Sequence, residues 1–181
     1  MRKVLAVLFV FASASAAFGV DKSDAEVRWH GVAGVVTAVN VDNPVGNIDS
    51  GTFAWTARRG HVRVDLATGA TTFDVDGLVI NGTVFSGTPG PITEVTGTLV
   101  CNPGDDTQAA FDTPDVALSP QGDAHFSGHI GGIPGGCSNP VFLIRIATPA
   151  GARGRWIATG TERTFGDDDR SHSRSEHRNN R

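Results

Sequence analysis

Tyrosine is absent from the 181-residue chain, methionine occurs once and cysteine only twice. Lysine is scarce as well: arginine outnumbers it thirteen to two, a bias that reads as genomic base composition before it reads as function. There is no Cys-x-x-Cys, no His-Glu-x-x-His, no Gly-x-Ser-x-Gly and no Gly-x-x-x-x-Gly-Lys, so no common motif-borne metal, hydrolytic or phosphate-binding chemistry is encoded. A basic surplus is missing too. Residues 20–165 carry fifteen acidic side chains against nine basic ones, and the whole chain has a net charge of −4. Phosphate backbones need a basic surface, so nucleic acid is not an expected partner. The 23 glycines and 9 prolines follow no period, which excludes collagen-like and solenoid repeats. After the first nineteen residues no window keeps a helical period for more than two turns.

What is present begins with an export signature. Arg2 and Lys3 precede an apolar run from Val4 to Phe11, and small residues end in Ala14-Ser-Ala-Ala17. This is the organisation of a secretory signal peptide over residues 1–19, with cleavage after Ala17 or Gly19, and the run is too short to span a bilayer. The mature chain is therefore expected to be secreted or periplasmic, without a membrane span. In an oxidising compartment an even cysteine count predicts a disulfide between Cys101 and Cys137, the alternative being two buried thiols. Residues 20–165 have the size of one domain. From Gly166 to Arg181 no apolar side chain occurs, so residues 166–181 are expected to form a disordered polar tail.

Between these ends the chain reads as short strands separated by Gly, Pro, Asp and Asn. His61-Val-Arg-Val-Asp-Leu66 has the clearest two-residue period, with Val62, Val64 and Leu66 on one face and His61, Arg63 and Asp65 on the other. Thr71 to Leu78 repeats the pattern with Phe73 and Val75 inward and Asp74 and Asp76 outward, and the two segments predict an antiparallel hairpin. Further strands are expected at Val27–His30, Val32–Val41, Thr52–Arg58, Val79–Ile80, Thr83–Phe85 around an Asn81-Gly82 turn, Ile92–Cys101, near Gln108–Phe111, Val116–Leu118, Gly122–Ile130, Val141–Ala147 and Gly154–Thr159. The fold class is all-β, a mainly antiparallel β-sandwich of about eight to ten strands, with a closed β-barrel as the alternative.

One constellation bears weighing for chemistry. Asp123, His125, Ser127 and His129 alternate along one strand, where residues two apart sit roughly 7 Å apart. Asp123 and His125 are thus candidate metal ligands that could share an ion. His129 lies too far along to join, and a third ligand would come from His61 or His30. Ser127 with either histidine has the residue types of a hydrolase but no motif. The plainer reading of this face is solvated strand surface. Asp74 and Asp76 read as surface charge, since calcium needs six to eight oxygens and no acidic loop supplies them. Trp29, Trp55 and Trp156 could line a ligand surface but fit a core, and the tail histidines His172 and His177 could bind metal weakly. No cofactor is called for.

Gly77-Leu-Val, Gly87-Thr-Pro-Gly-Pro-Ile-Thr-Glu-Val, Leu99-Val-Cys, Leu118-Ser-Pro-Gln-Gly-Asp-Ala, and Cys137 with Pro140 to Ile144 and Trp156-Ile-Ala together resemble a group of exported bacterial proteins of unassigned function, over about residues 70–160. The resemblance implies an exported β domain and brings no catalytic residue. A fainter similarity is to the chordin-type repeat domain, also a β-sandwich, whose His-Ile-His-Gly signature this chain lacks. Two functions are therefore expected to compete. One is a non-catalytic exported module that binds an extracellular or periplasmic partner through loops such as Asp42–Ile48, Ser86–Pro91 and Gly131–Gly136. The other is a metal-dependent or hydrolytic enzyme centred on Asp123 and His125.

Overall fold

A computed structural model describes residues 25–38, 41–133, 135, 137–148 and 153–166. The expected signal peptide, its cleavage site and the tail beyond Gly166 lie outside the described residues. The rest is all-β. In chain order the strands are β1 (Glu26–Gly34), β2 (Ala54–Thr56), β3 (Arg59–Asp65), β4 (Ala70–Asp76), β5 (Val79–Asn81), β6 (Glu94–Cys101), β7 (Ala109–Asp112), β8 (Val116–Ala117), β9 (Ala124–His129), β10 (Val141–Ala147) and β11 (Arg153–Phe165). Every ladder between them is antiparallel. One sheet runs β7-β6-β10-β11-β1-β3-β4-β9, with β8 beside β6, and β2 and β5 form a second, two-stranded sheet.

The long sheet curls into a half-barrel, and the aromatic core shows it. Phe73 on β4 and Phe142 on β10 are separated by three intervening strands, about 19 Å along a flat sheet, yet their ring centroids lie 5.6 Å apart. Phe126 stacks on Phe73 at 5.8 Å and Trp29 meets Phe142 at 5.9 Å. The two layers of the domain are thus opposite halves of one sheet. Gly97 on β6 makes this closure possible: a Cβ there would fall 2.6 Å from the Phe142 ring and 2.8 Å from that of Phe73. All three tryptophans, Trp29, Trp55 and Trp156, are buried.

The Cys101–Cys137 disulfide is present, with a Cα–Cα distance of 4.9 Å. It ties the end of β6 to the loop that follows β9, and Ile130 and Ile133 of that loop pack on the core. Two expected strands are revised. The segment expected to run to Val41 leaves the sheet after Gly34: the Val35 amide still donates to the Ile157 carbonyl of β11, but the Val35 carbonyl already turns to the Trp55 amide of β2. No hairpin forms about Asn81-Gly82 either. Ile80 donates to the Thr88 carbonyl and its own carbonyl accepts from Gly87, and its other side is taken by Trp55 of β2, so residues 83–87 are left to turn.

Candidate functional sites

The outer face of β1, β3, β4 and β9 carries the polar residues singled out from the sequence. Val62, Val64, Phe73, Val75 and Phe126 point inward and are buried, so the period of two turns their neighbours outward. Register then sets the outer row. His61 pairs with Asp74, Asp74 with His125, and Arg59 with Asp76. Asp74 sits between two imidazoles: His125 Nδ1 lies 2.6 Å from its Oδ1 and His61 Nε2 lies 3.1 Å from its Oδ2. Arg59 is bonded to Asp76, and chiefly that hydrogen bond raises the guanidinium pKa above its ordinary value. His30, Arg59, His61, Asp74 and Asp76 border a broad depression of about 570 Å³.

Asp123 does not join this row. It precedes β9 and braces a turn: its Oδ1 accepts from the Gly77 amide at 2.9 Å, its amide donates to Ser119 Oγ, and its carbonyl accepts from the Ser119 amide. The carboxylate that His125 meets is therefore Asp74, from the neighbouring strand. The Asp74–His61–His125 grouping rests on inter-strand register, which no local sequence pattern displays. His30 sits instead against Thr164 Oγ1 at 3.0 Å. His129 and Ser127 line a separate depression of about 310 Å³, and among the described residues no hydrogen bond joins Ser127 to a histidine.

This arrangement limits the chemistry of the face. The two imidazoles address opposite oxygens of one carboxylate and do not converge on a point, and among the described residues no group of three or more His, Cys, Asp or Glu side chains could hold a metal ion. A carboxylate-oriented imidazole is half of a nucleophilic site, which also requires a hydroxyl or thiol within about 3 Å. Ser127, two positions along the strand, is not so placed. Around Asp74 and Asp76 the face is a set of polar side chains that satisfy one another.

The opposite situation holds at one end of the half-barrel. Residues 31–41, 50–57 and 77–93 contain no charged side chain. They are hydrogen-bonded in sequence across space, through Trp55 to Val35, through the β2–β5 pairing, and through Ile80 to Thr88. Val35, Trp55 and Ile80 form their buried floor. Other uncharged runs, such as residues 95–101, are buried strand. Here apolar side chains face water. Among the described residues the exposed large apolar side chains are Val36, Val41, Phe53, Val84, Phe85 and Phe165, and all except Phe165 lie in these three segments.

Val84 is 95% exposed and Val36 84%. The turn presenting Val84 and Phe85 is held by its own bonds. The Ser86 amide donates to the Thr83 carbonyl, the Thr88 amide to the Phe85 carbonyl, and the Phe85 amide to Thr83 Oγ1. Gly82 and Gly87, at φ 72° and 81°, bracket it in a left-handed conformation that suits glycine. Sequence reasoning nominated Ser86–Pro91 as a binding loop but passed over Val36, Phe53, Val84 and Phe85; the signal was the lack of charge in residues 77–93. The other nominated loops differ. Asp42–Ile48 lies against Trp156, whose Nε1 donates to the Asn43 carbonyl at 3.0 Å. The Gly131–Gly136 segment, described only in part, follows the buried Ile130 and is pinned by Cys137.

Compared with known proteins, the chain matches no family model, no curated protein and no solved structure.

Proposed function

We propose that this protein is an exported, non-catalytic binding module that engages its partner through the charge-free rim formed by residues 35–36, 51–57 and 79–91. One observation carries the reading: apolar side chains stand in water on three linked segments, and the turn that holds the most exposed of them is locally braced. Large exposed apolar patches mark contact surfaces, and a braced turn loses less conformational freedom on binding than a loose one. The export signature in residues 1–19 and the disulfide fit an oxidising compartment. The likeness to exported bacterial proteins of unassigned function points the same way and adds no substrate.

A photo-crosslinking residue placed at position 84, and separately at position 61, tests the reading in the native host. Adducts from position 84 with none from position 61 support it. Adducts confined to position 61 contradict it and revive the polar face as the working surface.

A further inference from the structure

We propose a second contact surface, independent of the rim: the free edge of β9 takes up an extended, non-acidic polypeptide segment of a partner protein as an added antiparallel strand. Register identifies the edge. On β4 and β9, Thr71 faces Gly128 and Phe73 faces Phe126, and the Ile130 amide donates to the Gly69 carbonyl in the same series. The bonds of an antiparallel ladder alternate, so Ala124, Phe126 and Gly128 direct their backbone groups to β4. Those of His125, Ser127 and His129 point the other way, and among the described residues no partner is bonded to them.

Asp123 shows what belongs there. Its amide donates to Ser119 Oγ and its carbonyl accepts from the Ser119 amide, but the chain then departs: the Leu118 amide donates to the Thr93 carbonyl, and Val116 pairs with Val95 of β6. A neighbouring strand is begun at Asp123 and abandoned, leaving three N–H and three C=O groups in a row beyond it. Edges of natural sheets are blunted by charge, proline or brevity. At the other end of the long sheet, β7 has four residues, sets Asp112 against Arg153 and is followed by Pro114. β9 has six residues, no proline, no carboxylate, no lysine or arginine, and an unbroken register. His125, Ser127 and His129 are all exposed.

The occupant follows from this pattern. A donor and an acceptor from one residue, repeated about every 7 Å, match the alternate residues of an antiparallel strand, which exchange both bonds. Lipid headgroups, glycans and nucleotides carry no such repeat. In that register the segment's outward side chains stand beside His125, Ser127 and His129, while its inward ones meet Phe126 and the side-chain-free Gly128, so its alternate residues should be apolar. The net charge of −4 disfavours an acidic segment.

The test uses the full exported chain and, as probe, a capped peptide of about seven residues that alternates threonine and valine and ends in a lysine. Titration calorimetry should give a dissociation constant below about 1 mM. Ser127→Pro removes the central amide N–H, which faces away from β4, and should weaken binding about 10-fold or more; Ser127→Ala, which restores that N–H, should recover the parent affinity. N-methylation of the peptide's threonines, whose amides face the edge, should weaken binding to the parent protein by a similar factor, whereas N-methylation of its valines should not. This second arm stands should Ser127→Pro fold poorly. No binding up to about 1 mM, equal binding by folded Ser127→Pro, or equal loss from both methylated peptides overturns the proposal. A chain that sediments as a dimer until Ser127→Pro is introduced gives the edge to a second copy, and overturns it as well.

Discussion

The outer face of β1, β3, β4 and β9 and the rim around β2 and β5 stand on the same scaffold but solve opposite problems. On the face, ionisable groups are set one strand apart, so that Arg59 meets Asp76 and Asp74 receives His61 and His125. Each of these five groups is answered by a neighbour, and little of them is left over for a ligand. On the rim no charge is present to be answered, and valine and phenylalanine remain in water although the core beneath is closed by Val35, Trp55 and Ile80. Titratable groups attract attention in a search for function, yet here they are the satisfied part of the surface. On the rim the unsatisfied part is apolar.

The comparison can be broken or sharpened by substitution. Replacing both cysteines with serine removes the cross-link between β6 and the loop after β9 and should cost about 4 kcal/mol, as expected for a closed loop of this length; urea unfolding monitored by tryptophan fluorescence gives the value. Trp55→Ala undermines the rim's floor and should cost about 3 kcal/mol by the same measurement. Loss of rim binding in that variant, with the imidazole signals of His61 and His125 in place, would separate the two regions. Asp74→Asn dismantles the histidine row but should change stability by about 1 kcal/mol or less, since exposed ion pairs contribute little; a larger loss would mean that the polar face helps to hold the fold. Val84→Asp should alter stability by no more than about 0.5 kcal/mol, as for most surface substitutions. Only its binding should suffer.

Much of the fold could be read from the residues because the alternation is local. Val62 and Val64 against His61 and Arg63, or Phe73 and Val75 against Asp74 and Asp76, assign inside and outside without knowledge of any partner strand. The disulfide followed from an even cysteine count and an export signature. What stayed hidden depends on pairing between distant segments. Asp74 becomes the neighbour of His125 only because β4 and β9 adopt one register across about fifty residues of sequence. From sequence alone Asp123 had the better claim, although a turn occupies its carboxylate. The rim was hidden for the same reason: residues 35, 55 and 80 become neighbours only when β2 leaves the main sheet and pairs with β5. The half-barrel curl likewise rests on Gly97 making room for two rings from distant strands.

The claim that the rim is the working surface is tested most directly by nuclear magnetic resonance on protein labelled at its valine methyls and histidine rings, titrated with concentrated exported material from the native host. The account predicts that the methyl signals of Val84 and Val36 shift or broaden while the ring signal of His61 holds its position. Movement of the His61 signal with the valine methyls unchanged would contradict it.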